Sequence, residues 1–232
     1  MCTIGCACLD NTYIFKNRDP IRGTPFDERV ERVTANDINM LVIRNDLGCY
    51  GGINQEGVCV VGTFVNMIAD QNNYFDGDNL LEILGMGNIH RLLEFLQTNP
   101  SAYYGNLICS DGISSYAFEL NGRETDCFSI EDRYLMTNHF QRINKAIRTI
   151  NDPFIEEWTH SRLERGKALL DASLTRRDIE LLLSDHKGYP ELSICNHGRI
   201  PTASSYIFDC SQKKLYYCHG NPCSGSYVEQ QI

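Results

Sequence analysis

The sequence predicts an α+β fold in which two largely antiparallel sheets stack between layers of helix. Three observations predict it. Short apolar, β-branched and aromatic runs recur along the chain, separated by tight Asn, Asp and Gly turns. Helical periodicity is confined to two blocks. The blocks follow one another as strands, helices, strands, helices, strands, an order that favours hairpin-built sheets over parallel crossovers. Within the 232 residues there is no internal repeat, low-complexity tract or Pro/Gly/Ser linker, so a single continuous domain over residues 1–232 is expected.

Residues 3–9 and 13–16 read as a hairpin turning at Asp10-Asn11. The charged residues 25–37 read as surface loop. Strand patterns follow at 40–44, 49–53 and 58–65, with Gly51-Gly52 and residues 54–57 as turn punctuation. Residues 79–85 and 89–96 are predicted helices, since Ile89, Leu92, Leu93 and Leu96 recur at helical spacing, and Asn99-Pro100 ends the second. A second strand block covers 106–110, 114–120, 125–130 and 134–137. Helical periodicity returns at 154–170 and 179–183, where Thr175 and Asp178 form a capping-box signature with Asp in place of Glu. Residues 205–210 and 214–218 close the chain as a last hairpin across Ser211-Gln212.

Bulk properties narrow the function. A hydrophobic content of 42% with 22% charged residues is globular composition. No apolar run is long enough to span a bilayer, so no membrane partner is expected. The net charge of −9 argues against nucleic acid, whose phosphates require clustered Lys and Arg; Arg176-Arg177 is the longest basic cluster. The eleven cysteines are an odd number, and no leader pattern precedes them, which fits a reducing, cytoplasmic setting better than a disulfide framework. Common zinc spacings are missing. The nearest grouping is Cys6 and Cys8 with Cys218, His219 and Cys223, and buried cysteines usually act as small hydrophobes, so no metal site is expected. His197 and His219 could serve a metal only with well-placed cysteines. A cysteine-rich zinc- or redox-binding structural protein is the alternative of another class.

Cys2 is the candidate to carry the chemistry. Removal of Met1, expected before so small a residue, leaves a thiol and a free α-amine on one residue. That amine has an unperturbed pKa of roughly 7.7–8.0 and can act as a base beside its own nucleophile. A second-position cysteine alone decides nothing. Antiparallel pairing of the opening hairpin, however, returns Arg18 and Asp19 toward it. Asp19 could orient the amine, and Arg18 could hold the thiolate or bind an acyl oxygen. The competing interpretation is a surface salt bridge of little consequence.

The opening Met-Cys-Thr, with Asn17-Arg18-Asp19 after a hairpin, resembles the N-terminal nucleophile hydrolases. More narrowly it resembles the branch of bile salt hydrolases, penicillin V acylase, acid ceramidase and isopenicillin N acyltransferase. YGGINQEGVCVVGT (residues 50–63) is similar to that group's Gly-Met-Asn-Glu-Lys-Gly-Leu region. YLMTNHF (134–140) carries the Thr-Asn-His-Phe of the acyltransferase subgroup, and TASSYIFDCSQKKLYYCHGNPC (202–223) is similar to its C-terminal hairpin.

The resemblance implies a four-layer αββα sandwich and a hydrolase of linear, non-peptide amides on small N-acyl molecules, or an acyltransferase to a small amine. It implies no cofactor, and a homo-oligomer is compatible with it. Cys2 matches the nucleophile, Asp19 the acidic residue orienting its amine, and Asn138 the side-chain donor of the oxyanion hole. Arg18 stands beside Asp19, a spacing that departs from the bile salt hydrolases. A backbone N–H of Thr63, Phe64 or Val65 would be the second oxyanion donor. His139 would line the pocket or be a hydrogen-bonded structural histidine, and Arg199 stands near a position where relatives carry an arginine. Trp158 would be core or pocket wall. With only Met1 ahead of Cys2, no self-cleaved pro-segment is expected. The loops around residues 66–78 and 25–36 would shape the pocket, and the Asp and Asn content of the first would favour a polar or cationic substrate.

Overall fold

The structure, a computed structural model, describes residues 2–20, 27–65, 79–143 and 153–232. The chain opens with β1 (Cys2–Cys8), β2 (Thr12–Arg18), β3 (Arg29–Ala35), β4 (Ile38–Asn45), β5 (Gly48–Asn54) and β6 (Cys59–Thr63). Helices α1 (Asn79–Leu84) and α2 (Ile89–Thr98) follow, then β7 (Tyr104–Ser110), β8 (Ser115–Asn121), β9 (Thr125–Ser129) and β10 (Arg133–Met136). Helices α3 (Pro153–Asp171) and α4 (Arg176–Leu183) precede β11 (Ser204–Asp209), β12 (Lys214–His219) and β13 (Val228–Gln231). One sheet has the order β10-β1-β2-β11-β12-β13 and the other runs β3 to β9 in sequence; every pairing is antiparallel.

The alternation of each strand decides the layers. In β1, Cys2, Ile4 and Cys6 face the second sheet and pack with Leu41, Ile43, Ile53, Val61 and Ile108. Ala7, on the opposite face with Phe15 and Ile207, meets Leu163 and Leu170 of α3 and Ile179 and Leu182 of α4. The outer face of the second sheet, including Met40, Val42, Val60 and Leu107, is covered by Ile83, Leu84, Leu92 and Leu96 of α1 and α2. The order is helix, sheet, sheet, helix, the expected αββα sandwich. Burial on both faces explains why the central strands read as almost unbroken apolar runs.

Three expectations change. Residues 25–37 include a strand, β3, paired along β4. Its two-residue turn, Asn36-Asp37, has both φ positive (52° and 61°), as a type I′ hairpin requires. The charged alternation that suggested a loop is that of a solvated edge strand. Gly51-Gly52 is not a turn but the middle of β5: a Cβ on Gly52 would stand 2.8 Å from Leu84 Cδ1, and one on Gly51 3.3 Å from Tyr206 Cε2. These glycines let α1 and the opposite sheet approach the strand closely. Finally, β13 pairs along β12 although Val-Glu-Gln-Gln has no apolar alternation.

Candidate active site

The predicted hairpin forms, with Cys2 opposite Arg18 and Cys8 opposite Thr12. On the other side of β1, Ile4 pairs with Met136, so the chain leaving β10 delivers Asn138 beside Cys2. Cys2 N donates to Asn138 Oδ1 at 2.9 Å. Three neighbours position Asn138. Asn106 Nδ2 on β7 donates to the carbonyls of Thr137 and His139 at 2.8 and 3.0 Å, and Thr159 Oγ1 on α3 accepts from Asn138 N at 2.8 Å. Buried Glu119 accepts the backbone N–H groups of Gln141, Arg142 and Ile143 at 2.6, 2.9 and 2.7 Å, fixing the loop beyond.

On the helix-facing side lies a residue that the sequence reading did not single out. Arg162 of α3 is fully buried. Its Nη1 donates to Asp19 Oδ2 at 3.2 Å and Thr3 Oγ1 at 3.1 Å, and its Nη2 donates to Asn138 Oδ1 at 2.9 Å. Asp19 Oδ1 accepts from Thr202 Oγ1 at 2.7 Å. Because Cys2 N and Arg162 can only donate here, the Asn138 amide has one orientation, with its Nδ2 aimed away from them. That Nδ2 donates to Thr63 Oγ1 at 2.5 Å and to the Phe64 carbonyl at 2.7 Å, at the end of β6. Burial pushes the Asp19 carboxyl up, against the pull of Arg162, and burial draws the Arg162 guanidinium down, against the pull of Asp19. Arg162 also stacks on Trp158, 4.0 Å from the ring centroid, which makes Trp158 a wall of this buried charge.

On the face toward the second sheet, Lys16 and Arg18 stand at alternate positions of β2. Arg18 is paired with buried Glu28 and lies 3.9 Å from the centroid of the Tyr50 ring. Ser204 Oγ donates to the other Glu28 oxygen at 2.7 Å. Lys16, also buried, donates to the Tyr50 carbonyl at 2.8 Å. Burial alone would raise the Cys2 thiol, yet its pKa lies below the ordinary cysteine value, because Lys16, then the positive chain N-terminus and, less strongly, Arg18 favour the thiolate against the charge of Asp19. Lys16 therefore acts on the sulfur more strongly than Arg18, as expected when Glu28 already answers much of the Arg18 charge.

The remaining predicted residues fall differently. His139 Nδ1 lies 3.0 Å from Thr159 Oγ1 and 3.2 Å from Thr137 Oγ1, and its ring packs on His160 at 4.0 Å, the geometry of a hydrogen-bonded structural histidine. Arg199 is exposed, stacked 3.6 Å over the Phe154 ring, while its backbone N–H donates to Glu191. Phe154 stacks in turn on Trp158, so Arg199 joins the site only at the outer end of an aromatic stack. Thr63, Phe64 and Val65 lie at and beyond the end of β6, next to Asn138. Met1 and the pocket-shaping residues 66–78 lie outside the described residues.

The cysteine grouping weighed as a metal site does not assemble: β1, bearing Cys6 and Cys8, is separated from β12, bearing Cys218 and His219, by β2 and β11. A different set, His186, Cys195, His197 and Cys223, brings four donor atoms within 4.8 Å of one another. The sequence pattern places Lys16 and Arg162 on buried faces but does not place Arg162 beside Cys2. Lys16 follows Ile14 on the sheet-facing side of β2, at a buried position, and Arg162 falls one helical repeat after Trp158 and one before Gly166, on the buried face of α3.

A family model described as acyl-coenzyme A:6-aminopenicillanic acid acyl-transferase matches residues 8–224. No curated protein matches the chain. Among solved structures, it is similar to a mutant of conjugated bile acid hydrolase from Clostridium perfringens, with a TM-score of 0.64 at 12% identity, covering 100% of this chain and 97% of that one. Penicillin V acylase from Agrobacterium tumefaciens gives a TM-score of 0.58 at 11% identity, covering 100% and 86%. The Caenorhabditis elegans ortholog of N-acylethanolamine-hydrolyzing acid amidase gives 0.61 at 11% identity, covering 90% and 92%. At these identities the likeness establishes the fold, that of the N-terminal nucleophile hydrolases.

Proposed function

The chain belongs to the acyl-coenzyme A:6-aminopenicillanic acid acyl-transferase family, and from that membership and the site geometry we propose a thiol-dependent amidohydrolase that cleaves a linear, non-peptide amide of a small N-acyl molecule. The single observation that carries the proposal is the convergence on Asn138: Cys2 N and Arg162 share its Oδ1 at 2.9 Å each, beside a thiol biased toward thiolate.

Once Met1 is removed, Cys2 N is the α-amine. The Cys2 sulfur attacks the amide carbonyl, and the amine takes up the thiol proton and passes it to the leaving nitrogen. Asp19, locked between Arg162 and Thr202, supplies the negative charge that stabilises the protonated amine. The developing oxyanion takes the place of Thr63 Oγ1 or the Phe64 carbonyl as acceptor for Asn138 Nδ2, with a backbone N–H after β6 as the second donor. One such donor is typically worth roughly 10²–10³ in rate. Water then releases the acyl group from the thioester.

The family description also supports a second reading, in which a small amine instead of water accepts the acyl group. The two are separated by incubating the processed enzyme with a panel of N-acyl amines, with and without an acceptor amine. Hydrolysis gives free acid in both arms. Transfer gives the new amide in proportion to acceptor. Failure to consume any N-acyl amine, with Met1 removed, contradicts both.

A further inference from the structure

We propose that His186, Cys195, His197 and Cys223 form a structural zinc site that braces the segment behind Asp19. His197 Nε2 lies 3.1 Å from His186 Nε2, 3.5 Å from Cys195 Sγ and 3.4 Å from Cys223 Sγ. One imidazole nitrogen has a single hydrogen or a single lone pair to offer, so hydrogen bonding cannot satisfy three such neighbours at once. These three distances instead match the three edges of a coordination tetrahedron that meet at His197 Nε2, and the remaining donor pairs lie within 4.8 Å. Zinc bonds of about 2.0–2.1 Å to nitrogen and about 2.3 Å to sulfur, at tetrahedral angles, place N···N near ~3.3 Å and N···S near ~3.6 Å. Two thiolates with two imidazoles form a soft donor set suited to zinc and unsuited to magnesium or calcium.

The surroundings fit a metal centre as well. Asn221 Nδ2 lies 3.8 Å from Cys195 Sγ, placed to donate to a coordinated thiolate, and the same amide donates to the Asn196 carbonyl at 3.0 Å. His186 and Cys223 line an open surface cleft bordered by Arg176, Glu180 and Tyr216, which gives an ion its route of entry. Four protein donors leave no open position for substrate, so the site is structural.

The ligands come from the stretch between α4 and β11 and from the turn after β12. In the first stretch, Asn196 N donates to Thr202 Oγ1 at 2.9 Å, and that hydroxyl donates to Asp19 Oδ1 at 2.7 Å. Asn17 Nδ2 also donates to the Ile194 carbonyl at 3.1 Å. A metal tying this segment to the C-terminal hairpin holds the hydroxyl that holds the catalytic carboxylate, without touching substrate.

The test uses the full chain, produced with zinc supplied and purified under reducing, chelator-free conditions. Metal analysis is expected to find one zinc per chain. Cobalt(II) substitution is expected to give a thiolate-to-cobalt charge-transfer band and the intense visible bands of a tetrahedral ion. Cys223→Ser, at an exposed ligand, is expected to lose the zinc while remaining folded by circular dichroism, and His197→Ala to lose it as well. Cys2→Ala is expected to retain it, and chelation to lower the melting temperature of the parent but not of Cys223→Ser. Absence of zinc in the parent, retention of zinc by Cys223→Ser, weak six-coordinate cobalt bands, or a Cys195–Cys223 disulfide under these conditions would each overturn the proposal. None of these readouts depends on amide turnover.

Discussion

Cys2 and Cys59 are both buried and both pack in the core between the two sheets, yet their thiols are shifted in opposite directions. Cys59, among Cys6, Cys109 and Cys210, is pushed well above the ordinary value by burial, with its cysteine neighbours adding to the rise. Cys2 meets the same burial penalty and falls below the ordinary value, because β2 brings Lys16 and Arg18 onto the same face. The difference teaches that enclosure by itself makes a cysteine inert. What favours a thiolate here is a strand that carries cations at the two positions opposite Ile4 and Cys2 of β1.

The largest expected effect follows from exchanging sulfur for oxygen at each place. Cys2→Ser should lower kcat/KM for a working N-acyl substrate by roughly 10³-fold or more, with little change in melting temperature. Cys59→Ser should do the reverse, leaving kcat/KM unchanged while losing roughly 1–3 kcal/mol of stability in denaturant titration, since a hydroxyl is placed among apolar neighbours. Equal activity losses in the two variants would break the comparison.

Next in size is Arg162→Leu. It strips Asp19 of its buried cation and frees Asn138 Oδ1 from one of its two donors. A cost of roughly 3–5 kcal/mol is expected from the stranded carboxylate, together with a fall in kcat larger than the change in KM. A variant as stable as the parent would mean that Asp19 does not depend on this pair.

The smallest effect sharpens the comparison most finely. Activity rises with pH as the thiolate forms, and the Lys16 charge draws the Cys2 pKa down. Lys16→Met removes that pull, so the acidic limb of kcat/KM should move to higher pH. An unmoved limb, or one moved to lower pH, would assign the lowered thiol pKa to another group.

Much of this was legible in the sequence, and the reasons are local. A hairpin with a short turn fixes its own register, so Cys2, Arg18 and Asp19 could be brought together from twenty residues of sequence. Asn138 was reachable through the Thr-Asn-His-Phe stretch. Arg162 was not, because it comes from a helix whose docking against the sheet no short pattern specifies. Lys16 is a buried lysine on the sheet-facing side of β2, where sequence alone does not distinguish its role from that of the charged pair two residues later. The His186–Cys223 set escaped because its ligands follow no Cys-x-x-Cys rhythm; the loop after α4 and the turn after β12 meet only when the sheet is complete. Residues 25–37 misled because an edge strand keeps the charges that a loop also carries.

The central claim is that the mature chain begins with Cys2 and that its sulfur carries the acyl group. It is tested most directly by intact-mass analysis of the active enzyme, quenched in acid during turnover of an N-acyl amine and followed by peptide mapping. The account predicts a chain lacking Met1, with the acyl mass on the peptide that starts at Cys2 and a bond broken by hydroxylamine. Active protein that retains Met1, or an acyl group mapped to any other residue, would contradict it.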